Sequence, residues 1–152
     1  SDYDYILDYV VTKYYNILEF KVRDDVSDYD YILDDKLNIN GGLITFIDET
    51  DIKKSNYLIR LNSNDIKMPL HVRNRRVGDK ITLKKVGTKK VGEILSENKI
   101  PSDVRKSMPI VTDENGKILW IPGVKKSNFD KQYDEEYDII IKYIKKENED
   151  EK

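Results

Sequence analysis

Pro69-Leu70-His71-Val72-Arg73-Asn74-Arg75-Arg76-Val77-Gly78-Asp79-Lys80-Ile81 opens the stretch, running on to Lys131, around which the chain is organised. Apolar and polar residues alternate from Leu70 to Arg75. That period predicts a strand with Leu70 and Val72 on one face and His71, Arg73 and Arg75 on the other. Val77-Gly78-Asp79 predicts a turn, and Lys80 to Lys84 a second short strand. Two arginines on one strand face, with Arg76 beside them, require an anionic partner or open water.

Further along, Val91, Ile94, Leu95 and Asn98 fall at helical spacing and predict a short amphipathic helix. Thr88 is the expected N-cap, which would set Lys89 and Lys90 in the first turn, where the backbone dipole disfavours cations. Free N–H groups and two lysines at such a helix start would suit a phosphate. Pro101 and Pro109 bracket another helical turn carrying Arg105. Ile110-Val111 and Lys117 to Ile121 read as strands joined by an Asp113-Glu114-Asn115-Gly116 turn, with Pro122-Gly123 closing the second.

Outward from this stretch the chain is strand-rich. Tyr14 to Val22, Leu43 to Ile47 and Tyr57 to Leu61 all read as strands, with an Asn40-Gly41-Gly42 turn before the second. Tyr137 to Ile144 predicts a last strand with Tyr137, Ile139, Ile141 and Tyr143 on one face. Residues 145–152 are too charged to bury and are expected to be disordered. The octamer Ser-Asp-Tyr-Asp-Tyr-Ile-Leu-Asp at 1–8 recurs unchanged at 27–34. Two copies at one spacing do not make a solenoid.

The 152 residues suffice for one sizeable domain or two small ones. Apolar residues make up 38% and charged residues 37%, the balance of a soluble protein with a modest core. No apolar run approaches the ~18 residues that a membrane helix needs, and no secretory signal is visible. With no cysteine, disulfides and thiolate metal sites are excluded, which fits a reducing cytoplasm. The chain opens on serine rather than methionine, so a piece of a longer product is expected. The net charge of −2 hides a segregation: −7 over residues 1–65, +9 over 66–133 and −4 over 134–152. A basic segment thus lies between two acidic ones.

Little in the sequence points to catalysis. His71 is the sole histidine and has neither a cysteine nor a second histidine to join it in a metal site. No nucleophile elbow, Ser–His–Asp set or phosphate-cradling glycine loop is present. Asp24-Asp25, Asp34-Asp35 and Glu135-Glu136 read as solvated turns rather than acid–base pairs. Most of the eleven tyrosines sit in strand patterns and are assigned to packing. Trp120, flanked by Leu119 and Ile121, is expected in a strand covered on both sides. The basic stretch alone also allows a solvated surface with internal pairs, for instance Arg76 with Asp79 across the turn.

Taken together, these motifs resemble the C-terminal region of bacterial tRNA(Ile)-lysidine synthetases. The matching residues are Pro69-Leu70-x-Val72-Arg73-x-Arg75-x-x-Gly78-Asp79-Lys80-Ile81, Lys89-Lys90, and Lys99-Ile100-Pro101-x-x-x-Arg105-x-x-x-Pro109-Ile110-Val111. Ile118-Leu119-Trp120-Ile121-Pro122-Gly123 and Ser127 complete them. The resemblance covers roughly residues 57 to 131, and several motifs in one order make it specific. Gly92 and Leu95 depart from the pattern, standing where it has a lysine and a phenylalanine.

The resemblance implies an α+β fold of antiparallel β-sheets packed as an unusual sandwich with one or two short helices. That is the type shared by lysidine synthetase C-terminal domains and a module of the phenylalanyl-tRNA synthetase β chain. Residues 1–65 would form an acidic, strand-rich subdomain and 66–144 a basic C-terminal domain. The family is an ATP-dependent ligase that adenylates the wobble cytidine of the isoleucine tRNA with a CAU anticodon, after which lysine displaces AMP. Its Ser-Gly-Gly-x-Asp-Ser ATP loop is absent from this chain. The chain alone is therefore expected to be inactive and to carry no cofactor. Its expected partners are the tRNA and its own N-terminal catalytic domain. Arg73, Arg75, Arg76, Lys89, Lys90 and Arg105 are the candidate phosphate contacts. The other expectation is a protein–protein module that docks on the catalytic domain or mediates a homodimer.

Overall fold

The computed structural model describes residues 27–48 and 53–146. The strand expected over Tyr14 to Val22, the first copy of the octamer and residues 147–152 lie outside the described residues.

Two antiparallel sheets form the sandwich. One has the order β1(Asp30–Leu33), β5(Leu70–Asn74), β8(Pro109–Thr112), β9(Ile118–Ile121) and β10(Lys125–Lys126). The other has the order β2(Lys36–Ile39), β3(Gly42–Phe46), β11(Ile139–Lys145) and β4(Leu58–Leu61). A separate hairpin, β6(Lys80–Leu83) with β7(Gly87–Lys90), leads into α1(Val91–Glu97), and α2(Ser102–Arg105) follows.

Burial follows the two-residue period read from the sequence. Leu70 and Val72 are fully buried in β5, whereas His71 and Arg73 are only partly so. Leu33, Leu70, Val72, Val111, Leu119 and Trp120 pack against Ile44, Ile59, Leu61 and Ile141 of the other sheet. A second core lies outside the sandwich. Ile81, Leu83, Val91, Ile94 and Leu95 of the hairpin and α1 cover Ile110, Ile118 and Ile121. Strands β8 and β9 are therefore buried at every position. Each such aliphatic side chain contributes roughly 1.5–3 kcal/mol of gross burial energy. Trp120 sits where expected, fully buried, with its indole N–H donating to the Asn56 carbonyl at 2.9 Å.

The turns between strands also fall as read. Asn40 and Gly41 take the left-handed conformations of the β2–β3 turn, at φ of 47° and 72°. Asp113 is buried and holds the β8–β9 turn, accepting the N–H groups of Lys67, Asn115 and Lys117 at 2.9–3.0 Å.

Three expectations are corrected. Among the described residues, the boundary at residue 65 runs through both sheets rather than between two subdomains. β1 pairs with β5, and β11 pairs with β3 and β4, because each sheet needs strands from both sides of that point to bury its inner face. Lys145 belongs to β11 rather than to a tail, pairing with Gly42. Finally, Thr88 caps no helix. Residues Gly87–Lys90 form β7, and Thr88 bonds Thr82 across the hairpin at 3.0 Å. Pairing with β6 satisfies backbone groups that a longer helix would have left on an unpaired edge.

A candidate nucleic-acid interface on the hairpin and first helix

Helix α1 begins at Val91, with Lys90 at the N-cap position and no side-chain cap. Its first N–H instead donates to the Asp79 carbonyl at 2.9 Å, which ties the helix start to the β5–β6 turn. Lys89 and Lys90 are strand residues facing Ile81 and Lys80, so the helix-start phosphate site expected for them does not form. With seven residues, α1 has little dipole to offer an anion in any case.

The six candidate cations divide into two groups. Arg73 is held by Asp79 through two hydrogen bonds of 3.0 and 3.1 Å, and both side chains are about nine-tenths buried. The Arg76–Asp79 side-chain pair allowed by the sequence is thereby displaced: Arg76 reaches Asp79 through its backbone alone, its N–H donating to the carboxylate at 2.8 Å and its carbonyl accepting the Asp79 N–H at 3.1 Å. Lys89 is paired with Glu97 at 2.8 Å. Arg105 braces the α1–α2 junction, donating to the Ile100 carbonyl at 2.7 Å and to the Ser96 hydroxyl at 3.1 Å. These three carry internal contacts.

Arg75, Arg76 and Lys90 have no ion pair among the described residues. Arg75 crosses to α1 and lies over Gly92, where a Cβ would fall 2.7 Å from Nη2. Its Nε is buried without a hydrogen-bond partner. Arg75 and Lys90 line one open groove together with Gly92, Glu93 and Ser96. Lys80 stands directly opposite Lys90 in the hairpin, and both are exposed. Like charges in register across two strands are unfavourable unless an anion or water offsets them. The sequence reading missed Lys80; only the hairpin register could have singled it out. Cations and a hydroxyl around an open groove can hold phosphate oxygens, contacts that position a nucleic acid without reading its bases.

His71 lies apart from this cluster. Its Nδ1 is 2.7 Å from Asp30 and its Nε2 is 2.6 Å from Glu114, so it clamps β1 to the β8–β9 turn. The hydrogen bonds to Glu114 and then Asp30 hold its pKa above the ordinary value of 6.5. No group of three or more potential metal ligands occurs among the described residues.

Residues 70–141, which include every residue of the groove, match the family model of the TilS substrate C-terminal domain. A crystal structure of a TilS C-terminal domain superimposes with a TM-score of 0.73 at 36% identity, covering 80% of this chain and 100% of that one. The chain belongs to the TilS C-terminal domain family. The fold of antiparallel sheets with short helices agrees with that membership.

Relatives of this family include the bifunctional protein TilS/HprT of Listeria innocua, 45% identical over 87 residues, 56% of this chain and 13% of the relative. A tRNA(Ile)-lysidine synthase of Geobacillus kaustophilus is 53% identical over 68 residues, 44% of this chain and 15% of the relative. The chain thus spans only a small part of the curated relatives it matches.

Proposed function

We propose that this chain is the tRNA-holding portion of a tRNA(Ile)-lysidine synthase. It would position the isoleucine tRNA for ATP-dependent modification of the wobble cytidine by a catalytic domain outside this chain. The observation that carries the reading is the pairing of Lys80 with Lys90 beside Arg75, three cations gathered on the basic face of a TilS C-terminal fold. Arg75, Arg76, Lys80 and Lys90 are the phosphate contacts in this reading. Arg73, Lys89 and Arg105 are held by internal partners and are not contacts in this reading. ATP binding and lysine transfer fall to the catalytic domain, in the cytoplasm where tRNA is modified.

Titration of a tRNA transcript with a CAU anticodon against salt tests this reading. With about three phosphates engaged at this cluster, it alone should contribute a slope of roughly −2 to −3 to the fall of log affinity with log salt. A flat dependence, or no binding, would remove it. Given ATP and lysine, the chain is expected to leave the tRNA unmodified.

A second reading, docking on the catalytic domain or a second copy, is favoured by one observation. Tyr31 and Ile32 are 48% and 57% exposed on the edge strand β1. Apolar docking there would be insensitive to salt.

A further inference from the structure

Three lysines from three separate elements converge at the far end of the β6–β7 hairpin from Lys90. Lys54 comes from the loop before β4, Lys84 from the hairpin tip and Lys125 from β10, and all three line one groove. Each is exposed, and none has an ion pair among the described residues. Nothing in the local sequence connects them, because they are brought together only by the packing of the hairpin against the sandwich.

The floor of the groove is polar and fixed. The Asn56 carbonyl accepts the Trp120 indole N–H at 2.9 Å and the Gly123 N–H at 2.8 Å. The Asn128 N–H donates to the Thr82 carbonyl at 2.8 Å and pins the hairpin to the same wall. The Ser55 and Ser127 hydroxyl oxygens accept backbone N–H groups, at 2.9 and 3.1 Å, which leaves each O–H to donate. Asp130 is the one carboxylate among the lining residues, and its charge is already engaged. One oxygen lies 3.3 Å from Lys126 Nζ and the other accepts the Arg60 N–H at 3.2 Å. The groove therefore presents three solvated positive charges and hydroxyl donors, with no available carboxylate. By contrast, the groove at Arg75 includes Glu93.

Lysines act as point charges on flexible stems, which suits phosphates spread along a strand rather than one bidentate anion. Lys80 opens β6 and Lys84 directly follows its end, four residues on, or about 13 Å at ~3.3 Å per extended residue. One nucleic-acid backbone can therefore follow the hairpin from one cluster to the other. We infer that the groove of Lys54, Lys84 and Lys125 seats a second segment of RNA phosphate backbone, continuous with the Arg75–Lys90 groove. The inference rests on the tRNA-holding reading above and adds a site to it.

The test compares the 152-residue chain with two variants, Lys54→Gln/Lys84→Gln/Lys125→Gln and Arg75→Gln/Lys90→Gln, by tRNA titration across salt. All three groove lysines are exposed, so the triple variant should keep the parent's denaturant midpoint. Its salt slope should be shallower by about 2 to 3 units, at roughly 0.7–0.9 for each phosphate no longer neutralised. The affinity loss should be similar for unrelated tRNAs. If the parent binds with a steep slope and the triple variant matches it, the lysine groove is no RNA seat and the reading at Arg75 stands. If the parent shows no salt-dependent binding to tRNA, that reading falls and takes this inference with it. Competition by polyglutamate as strong as that by RNA of equal charge would assign the groove to an acidic protein and overturn the RNA assignment.

Discussion

Arg73 and Asp79 meet fork to fork across the turn between β5 and β6, with both guanidinium Nη atoms within 3.1 Å of the carboxylate. Their side chains are only 11% and 10% exposed. Removing one partner of such a pair leaves a poorly solvated charge behind, at a cost of about 3–5 kcal/mol when burial is complete. Arg73→Ala should therefore lower the denaturant midpoint markedly. The fraction that remains folded should keep the parent's salt slope for tRNA, since this guanidinium faces Asp79 rather than the groove. A stable variant with a flattened slope would reverse the assignment.

Gly92 provides the space that Arg75 occupies. A Cβ at position 92 would come within 2.7 Å of the Arg75 guanidinium, the movable end of a long side chain. Gly92→Ala should thus displace Arg75 rather than disrupt the fold. The helix itself gains up to about 1 kcal/mol from alanine over glycine. The expected outcome is unchanged or raised thermal stability with weaker tRNA binding, read by melting and titration on the same sample.

Trp120 is fully buried in the sandwich core and donates its indole N–H to the Asn56 carbonyl. Trp120→Ala should cost about 3–5 kcal/mol, the range for large aromatic truncations. A midpoint that barely moves would show that the side chain is exposed and free to stack on a base.

His71 gives the pH dependence a definite sign. Its pKa is raised in the folded state by Glu114 and Asp30, so protonation and folding favour each other. The stabilisation is complete below the unfolded value, near 6.5, and is lost as pH rises through the raised folded value. The stability difference between the parent and His71→Gln should be largest at about pH 5.5 and shrink at about pH 8. Urea midpoints for both proteins across that range check it. A difference that grows with pH would show that the carboxylates do not hold the protonated ring.

Much of this architecture was legible because backbone geometry is local. Alternation set the buried face of β5 through Leu70 and Val72, and helical spacing placed Val91, Ile94 and Leu95 in one core. The apolar run at Ile118–Ile121 located a strand covered on both sides, and the order of motifs identified the family. Where two local signals competed, sequence could not arbitrate. Thr88-Lys89-Lys90 suits a helix start, yet pairing with β6 drew these residues into a strand.

The availability of each cation was decided by tertiary structure alone. Arg73, Lys89 and Arg105 look as free in the sequence as Arg75 and Lys90, but each has a partner in the fold. Asp79 and Glu97 engage the first two, and a carbonyl with a hydroxyl engages the third. Lys80 gained its meaning from a cross-strand neighbour ten positions away, and Lys54, Lys84 and Lys125 from a groove shared by three elements. Sequence dictates periodicity because each residue's direction follows from its own backbone. Whether a charge is satisfied depends on which groups packing brings within a few ångströms, and those groups come from elsewhere in the chain.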